Sequence, residues 1–206
     1  MSDVSKLEST IRSEIEIDDN GGWGKDEQNV EDMRSILDKD EMTGILSHRG
    51  WKIESRALIE NCRRKGIPVA VFVMDLDNLN IFNDKYGHKV GNDAITLVVE
   101  VTKGVLSEND KFGRWGGDEF VITCVNCLPN RAETMKTIIK SDLENKINEK
   151  KPGDSLYQRF VSAGIGYSQV DYLDSDLLES AFERADMNMF IDKNKNKEQA
   201  ANPKNV

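Results

Sequence analysis

Two short stretches carry residue types that handle phosphates and metal ions. The first is Asp75-Leu76-Asp77, placed where the apolar run Val69-Ala70-Val71-Phe72-Val73-Met74 ends. Carboxylates at a strand terminus are held rigidly and can point into a cleft. The second is Gly116-Gly117-Asp118-Glu119-Phe120. Its glycines permit a sharp turn and the close approach of a ligand, and two adjacent carboxylates follow. If the strands bearing these stretches are neighbours, Asp75 and Asp118 meet at one end of the sheet. An oxygen-rich cluster of that kind suits Mg²⁺ shared with substrate phosphates. Each stretch also has an ordinary structural reading: an aspartate after a strand caps a turn, and a GGDE turn closes a hairpin. An EF-hand reading of Asp75 onward fails, because Leu79, Asn80 and Tyr86 occupy positions that need an oxygen ligand, glycine and glutamate.

The elements that must position these residues follow from periodicity. A helix is predicted from about Arg49 to Arg64, ending at Gly66 and Pro68, and the apolar run after it reads as a buried strand. Ala94, Leu97, Val98, Val101 and Val105 mark a second helix. Strands near Lys111–Trp115 and Glu119–Val125 flank the Gly116-Gly117 turn. A helix over Arg131–Glu149, a strand over Phe160–Val170 and a helix carrying Leu178, Ala181, Phe182, Ala185 and Met189 complete the pattern. The polar tail from Lys193 is expected to fray. The predicted fold class is α/β (α+β): a ferredoxin-like βαββαβ palm with N-terminal helices, an extra C-terminal helix and a central sheet containing antiparallel pairs. That plan alone does not give function.

Three segments are expected: residues 1–38 as a polar stretch and amphipathic lead-in helix, 39–197 as the functional domain, and 198–206 as a tail. Within the first, Val4–Ile15 reads as a short helix, and Val30, Met33 and Leu37 stripe a second. Of the 206 residues 38% are hydrophobic and 32% charged, which fits one soluble globular domain. The net charge is −9 without a Lys/Arg block, which argues against a nucleic-acid partner. No apolar run approaches a membrane span, and the polar start lacks a secretion signal, so the expected location is cytoplasmic. Cys124 and Cys127 form a CxxC, but with Cys62, His48 and His88 out of spacing they read as reduced structural thiols at a strand end.

Taken together these residues resemble the GGDEF family of diguanylate cyclases over about residues 38 to 197. Asp40-Glu-Met-Thr43-Gly44-Ile-Leu-Ser-His-Arg49 is similar to the family's DxLTGLxNRR segment. The stretch from Asp75 to Gly91 resembles DxDxFKxxNDxxGHxxG, and Arg114-Trp-Gly116-Gly117-Asp118-Glu119-Phe120 matches the signature. Val161-Ser162-Ala-Gly164-Ile-Gly166 and Ala185-Asp186, followed by Lys193, resemble the closing segments. The resemblance implies synthesis of a cyclic dinucleotide, cyclic di-GMP from two GTP with release of pyrophosphate, by a metal-dependent homodimer. It implies two Mg²⁺ or Mn²⁺ ions per half-site, held by Asp75, the Leu76 carbonyl, Asp118 and Glu119. Asp75, Asp118 and Glu119 form the catalytic set, with Glu119 beside the attacking 3′-hydroxyl. Backbone N–H groups at Asn78, Leu79 and Asn80 would meet phosphate oxygens, as would Lys193 and Lys197, the latter where the family more often has arginine. Asn83 and Asn92 would read the base. His88, Phe82 and Tyr86 read as packed residues.

Three departures stand out. Leu79-Asn80 replaces the family's FK, which removes a phosphate-side lysine. Ser107-Glu-Asn-Asp110 replaces the RxxD of product-inhibited members, so tight product feedback is not expected without the arginine. Asn92 stands where the family usually has aspartate, and a carboxamide matches adenine's acceptor and donor better than guanine's two donors. A mismatched buried polar edge costs about 1–3 kcal/mol. Asp93 follows directly and could take that role by a shift of register. Three readings stay open: a diguanylate cyclase, a cyclase that also uses ATP to give an adenine-containing product, and an inactive nucleotide sensor or interaction module.

Overall fold

The computed structural model describes residues 37–150 and 162–201. The lead-in helices expected before residue 37, and residues 160 and 161 of the last predicted strand, lie outside them. Five helices and five strands follow in order among the described residues: β1 (Leu46–Ser47), α1 (His48–Lys65), β2 (Val69–Leu76), α2 (Leu79–Tyr86), α3 (His88–Val105), β3 (Lys111–Arg114), β4 (Glu119–Val125), α4 (Pro129–Lys150), β5 (Ala163–Gln169) and α5 (Leu177–Ala201). The strands form one mixed sheet in the order β1-β3-β4-β2-β5, with only β1–β3 parallel. The split βαββαβ expectation holds within it, and the two-residue β1 is an addition the sequence pattern was too short to show.

Strand β2 explains why the sheet is layered. Its side chains alternate between two buried clusters, as a pleated strand covered on both faces requires. Ala70, Phe72, Met74 and Leu76 enter one cluster with α2, α3 and α4. Val69, Val71 and Val73 enter the other with α1 and α5. β4 repeats this with Phe120, Ile122 and Cys124 on the first side and Val121 on the second. The predicted stripes of α3 and α5 are the faces that become buried. Cys62, Cys124 and Cys127 are free and buried, as expected of structural thiols. No described helix is long and apolar enough to cross a membrane.

Two observed elements depart from the expected pattern. Helix α2 fills a stretch that shows few helix signals, although Leu79 and Phe82 pack inward at helical spacing and Tyr86 joins them. The last helix does not stop near Lys193 but continues to Ala201, because its polar residues bond to the sheet edge. Close contact between α5 and β5 depends on Gly166. A Cβ there would sit 2.0 Å from Met189 N and 2.1 Å from Ala185 O, both helix backbone that cannot yield. Gly166→Ala is therefore expected to destabilise the fold by about 3 kcal/mol, measured by urea unfolding. An unchanged midpoint would show that α5 can move away freely.

Candidate active site

The antiparallel pairing of β2 with β4 places Asp75 opposite Glu119. Directly paired residues share a face, with Cβ atoms about 5 Å apart. The Asp118 carbonyl accepts from Leu76 N at 3.1 Å, which fixes the turn against the end of β2. Asp75, Asp118 and Glu119 thus stand together at one end of the sheet, as the sequence suggested. Their proximity is visible electrostatically. Burial and the Asp75 charge push the Asp118 carboxyl up against the opposing pull of Lys193 and Arg114. Burial pushes Glu119 up as well, aided by Asp75, Asp118 and Asp186.

The GGDE turn is clamped from both flanks. Arg114 donates from Nε to Gly116 O at 3.1 Å and from Nη2 to Gly117 O at 2.7 Å. Its Nη1 meets Asp40 Oδ1 at 3.2 Å, and Asp40 in turn accepts from Thr43 N and Thr43 Oγ1. Burial raises the Asp40 pKa, but those bonds and Arg114 outweigh it and hold it below its ordinary value. On the other flank Trp115 stacks on Phe182 at 4.3 Å, with His48 at 3.8 Å and the Trp51 edge at 5.8 Å. The two glycines of the turn differ in their surroundings. Neither Gly116 nor Gly117 takes a positive φ. Gly116 is small because Glu119 Oε2 lies 2.8 Å from where its Cβ would be, and Gly117 faces open space.

Asp77 does not join the cleft carboxylates. It is buried, accepts from Ser162 Oγ at 2.6 Å and donates its N–H to Ser162 O at 2.7 Å, tying β2 to the start of β5. Lys193, expected at phosphate, holds Asp75 Oδ1 at 2.5 Å and lies 3.9 Å from Asp77. Lys197 lies on α5, with only its backbone described. Asn78 adopts a left-handed φ of 58° and opens α2 without a side-chain cap, so the first N–H groups of that helix keep no such partner. An uncapped helix start favours anions. The Leu79 side chain is buried in the core, and the Asn80 side chain is exposed. Asn83 Oδ1 is buried without a hydrogen-bond partner and rests against Gly91, the residue before exposed Asn92. Phe82 is core and Tyr86 packs against it, but His88 is exposed, contrary to the packed role expected of it.

A divalent ion at these carboxylates would need ligands from elsewhere. Among the described residues no three His, Cys, Asp or Glu side chains converge enough to hold a metal ion alone. Mg²⁺ ordinarily takes one or two carboxylates and fills its remaining positions with phosphate oxygens and water. The Lys193 ammonium on Asp75 marks the place where positive charge is wanted.

The family model described as "Diguanylate cyclase, GGDEF domain" matches residues 37–199. The chain belongs to the GGDEF family. It is 30% identical over 158 residues to the probable diguanylate cyclase DgcJ of Escherichia coli K12, covering 76% of this chain and 30% of that protein. It is 36% identical over 90 residues to the probable diguanylate cyclase DgcC of the same organism, covering 44% and 24%. The chain thus spans less than a third of the length of these curated relatives. A microbial GGDEF domain studied for its interaction with bis-(3,5)-cyclic di-GMP is similar at a TM-score of 0.63 and 28% identity, over 77% of this chain and 94% of that one. The coiled coil and GGDEF domain of DgcB from Caulobacter crescentus shares the fold at a TM-score of 0.71 and 18% identity, over 94% of both chains.

Within this GGDEF domain the Ser107–Asp110 segment has a structural occupation. The buried Asp110 carboxylate accepts from Val125 N, Ser107 N and Ser107 Oγ, each at 2.8 Å, and lies 3.7 Å from Arg131. Only the aspartate's pattern of local bonds, and not its spacing from the signature, would have signalled this. Asp110→Ala removes the acceptor of the half-buried Val125 N–H and of two exposed Ser107 donors, and is expected to cost about 1–2 kcal/mol of stability. A variant as stable as the native chain in urea would contradict that reading.

Proposed function

We propose that this GGDEF domain synthesises a cyclic dinucleotide, cyclic di-GMP from two GTP, as one half of a homodimer. The observation that carries the reading is the Asp75–Glu119 register, which gathers three carboxylates beside an uncapped helix start. Each chain would hold one triphosphate, its phosphates on the N–H groups of Leu79 and Asn80 and its charge met by Lys193 and Lys197. The 3′-oxygen of one nucleotide forms a bond to the α-phosphorus of the facing one. The bond to the β-phosphate breaks and pyrophosphate leaves. Glu119 would stand beside the attacking 3′-hydroxyl, whose proton would pass to it or to water. Asp75, Asp118, Glu119 and the Leu76 carbonyl would hold Mg²⁺ or Mn²⁺, two ions per half-site. Bound there, the metals lower the hydroxyl pKa and offset charge on the transferred phosphate. The domain boundaries 39–197 are part of this proposal.

A second reading, in which ATP is also used, draws support from exposed Asn92, which stands where the family usually has aspartate. A carboxamide offers both a donor and an acceptor to the base.

One set of assays tests both. Asp118→Asn is expected to lower turnover at least about 100-fold with the fold retained, and a chelator to stop native turnover until Mg²⁺ or Mn²⁺ is restored. Substantial turnover by Asp118→Asn removes the mechanism. Products from GTP, ATP and their mixture are identified by mass, with Asn92→Asp beside the native chain. Guanine-only product in both supports the plain diguanylate cyclase. Adenine-containing product that declines in Asn92→Asp supports the second reading. Nucleotide binding without product would leave a sensor.

A further inference from the structure

Among the described residues strand β5 lies at the edge of the sheet, paired with β2 on one side. An edge of that kind presents a row of open N–H and C=O groups. Three side chains of α5, four residues apart, close it. Asn188 Nδ2 donates to Tyr167 O at 3.0 Å, Asp192 Oδ2 accepts from Ile165 N at 2.9 Å, and Asn196 Nδ2 donates to Ala163 O at 3.2 Å. Four helix residues advance about 6 Å and two strand residues about 6.6 Å, so the rungs stay in step.

The middle rung is charged and held a second time. Lys136 and Lys140 of α4 reach Asp192 at 2.7 and 2.5 Å, and Lys140 also donates to Asn196 Oδ1 at 3.2 Å. Burial raises the Asp192 pKa, but the Ile165 N–H and the two ammonium groups outweigh it and keep it below its ordinary value. Lys193 comes next in the chain. Its Cβ lies 3.0 Å from where a Gly164 Cβ would stand, and Gly164 is the register partner of Asp75. Lys193 then reaches Asp75 itself. A slip of α5 by one residue would move Lys193 about 1.5 Å along the axis and about 100° around it, and the pair would be lost.

We propose that Asp192, clamped between Ile165 N–H and the Lys136–Lys140 pair, is a positioning residue that sets the register of α5 and thereby aims Lys193 at the nucleotide-phosphate end of the site. The phosphate part of this statement rests on the cyclase reading. Asp192 touches neither substrate nor reacting atoms, and it acts through Lys193.

Two variants and two readouts test it in the full chain. Asp192→Asn keeps an acceptor for Ile165 N–H and releases both lysines, whereas Asp192→Ala removes the acceptor as well. With Mg²⁺, KM for GTP is expected to rise about threefold in Asp192→Asn and about tenfold in Asp192→Ala, with kcat changed by less than about twofold, the split produced by lost uniform binding. In a Lys193→Ala background Asp192→Asn should add less than about a twofold change, because the two residues act as one. The second readout needs no nucleotide. Nitrogen-15 NMR of lysine side chains should show a hydrogen-bonded, slowly exchanging Lys193 ammonium that loses this protection in Asp192→Asn. A folded Asp192→Asn with native KM and a native Lys193 signal overturns the proposal, whether or not Asp192→Ala folds, and so do fully additive KM effects. A native chain that turns over no GTP, yet loses Lys193 protection in Asp192→Asn, sinks the cyclase reading and supports the positioning role.

Discussion

The pairing of β2 with β4 fixes everything at the site. A strand has a side-chain period of two, so a slip of one residue would send every side chain to the opposite face. Here Ala70, Phe72, Met74 and Leu76 fill one cluster and Val69, Val71 and Val73 the other, so a slip would exchange side chains of different size between them. The packing that favours this register also sets Asp75 opposite Glu119. Core packing and the placement of acidic groups are therefore one decision.

The result is a concentration of negative charge that the protein balances in part. Asp75 is met by Lys193 from α5, and the turn carbonyls of Gly116 and Gly117 are met by Arg114. Asp118 and Glu119 receive less compensation, which is why burial and their neighbours push both upward. A site left short of positive charge, beside an uncapped helix start, is suited to metal ions that arrive with phosphates. Around it, hydrogen bonds supply rigidity: Asp77 to Ser162, Asp110 to Val125, and the α5 rungs to β5.

Much of this was legible in the residues. The Val69–Met74 run, the Gly116–Phe120 turn and the stripes of α3 and α5 each carry a strong local period or a recognisable motif. What escaped the sequence shares a single cause. Asn188 and Asp192 carry no sign of their role and Asn196 looks like part of a solvated tail, because a polar side chain that bonds to a distant strand edge leaves no hydrophobic period. Asp110 looks like the remnant of a ligand motif until its bonds to Ser107 and Val125 are seen. The glycines of the turn gave no sign that Gly116 lies against the Glu119 carboxylate. Partners far apart in sequence decide each of these cases.

The central claim is that one chain offers half of a reaction site, and its most direct test is turnover per chain as a function of chain concentration. Holding two triphosphates face to face removes much of the entropic barrier only when two copies meet. With saturating GTP and Mg²⁺, cyclic dinucleotide formed per chain should rise with concentration and level off where light scattering shows the dimer complete. A constant rate per chain, from protein that stays monomeric throughout, would contradict it.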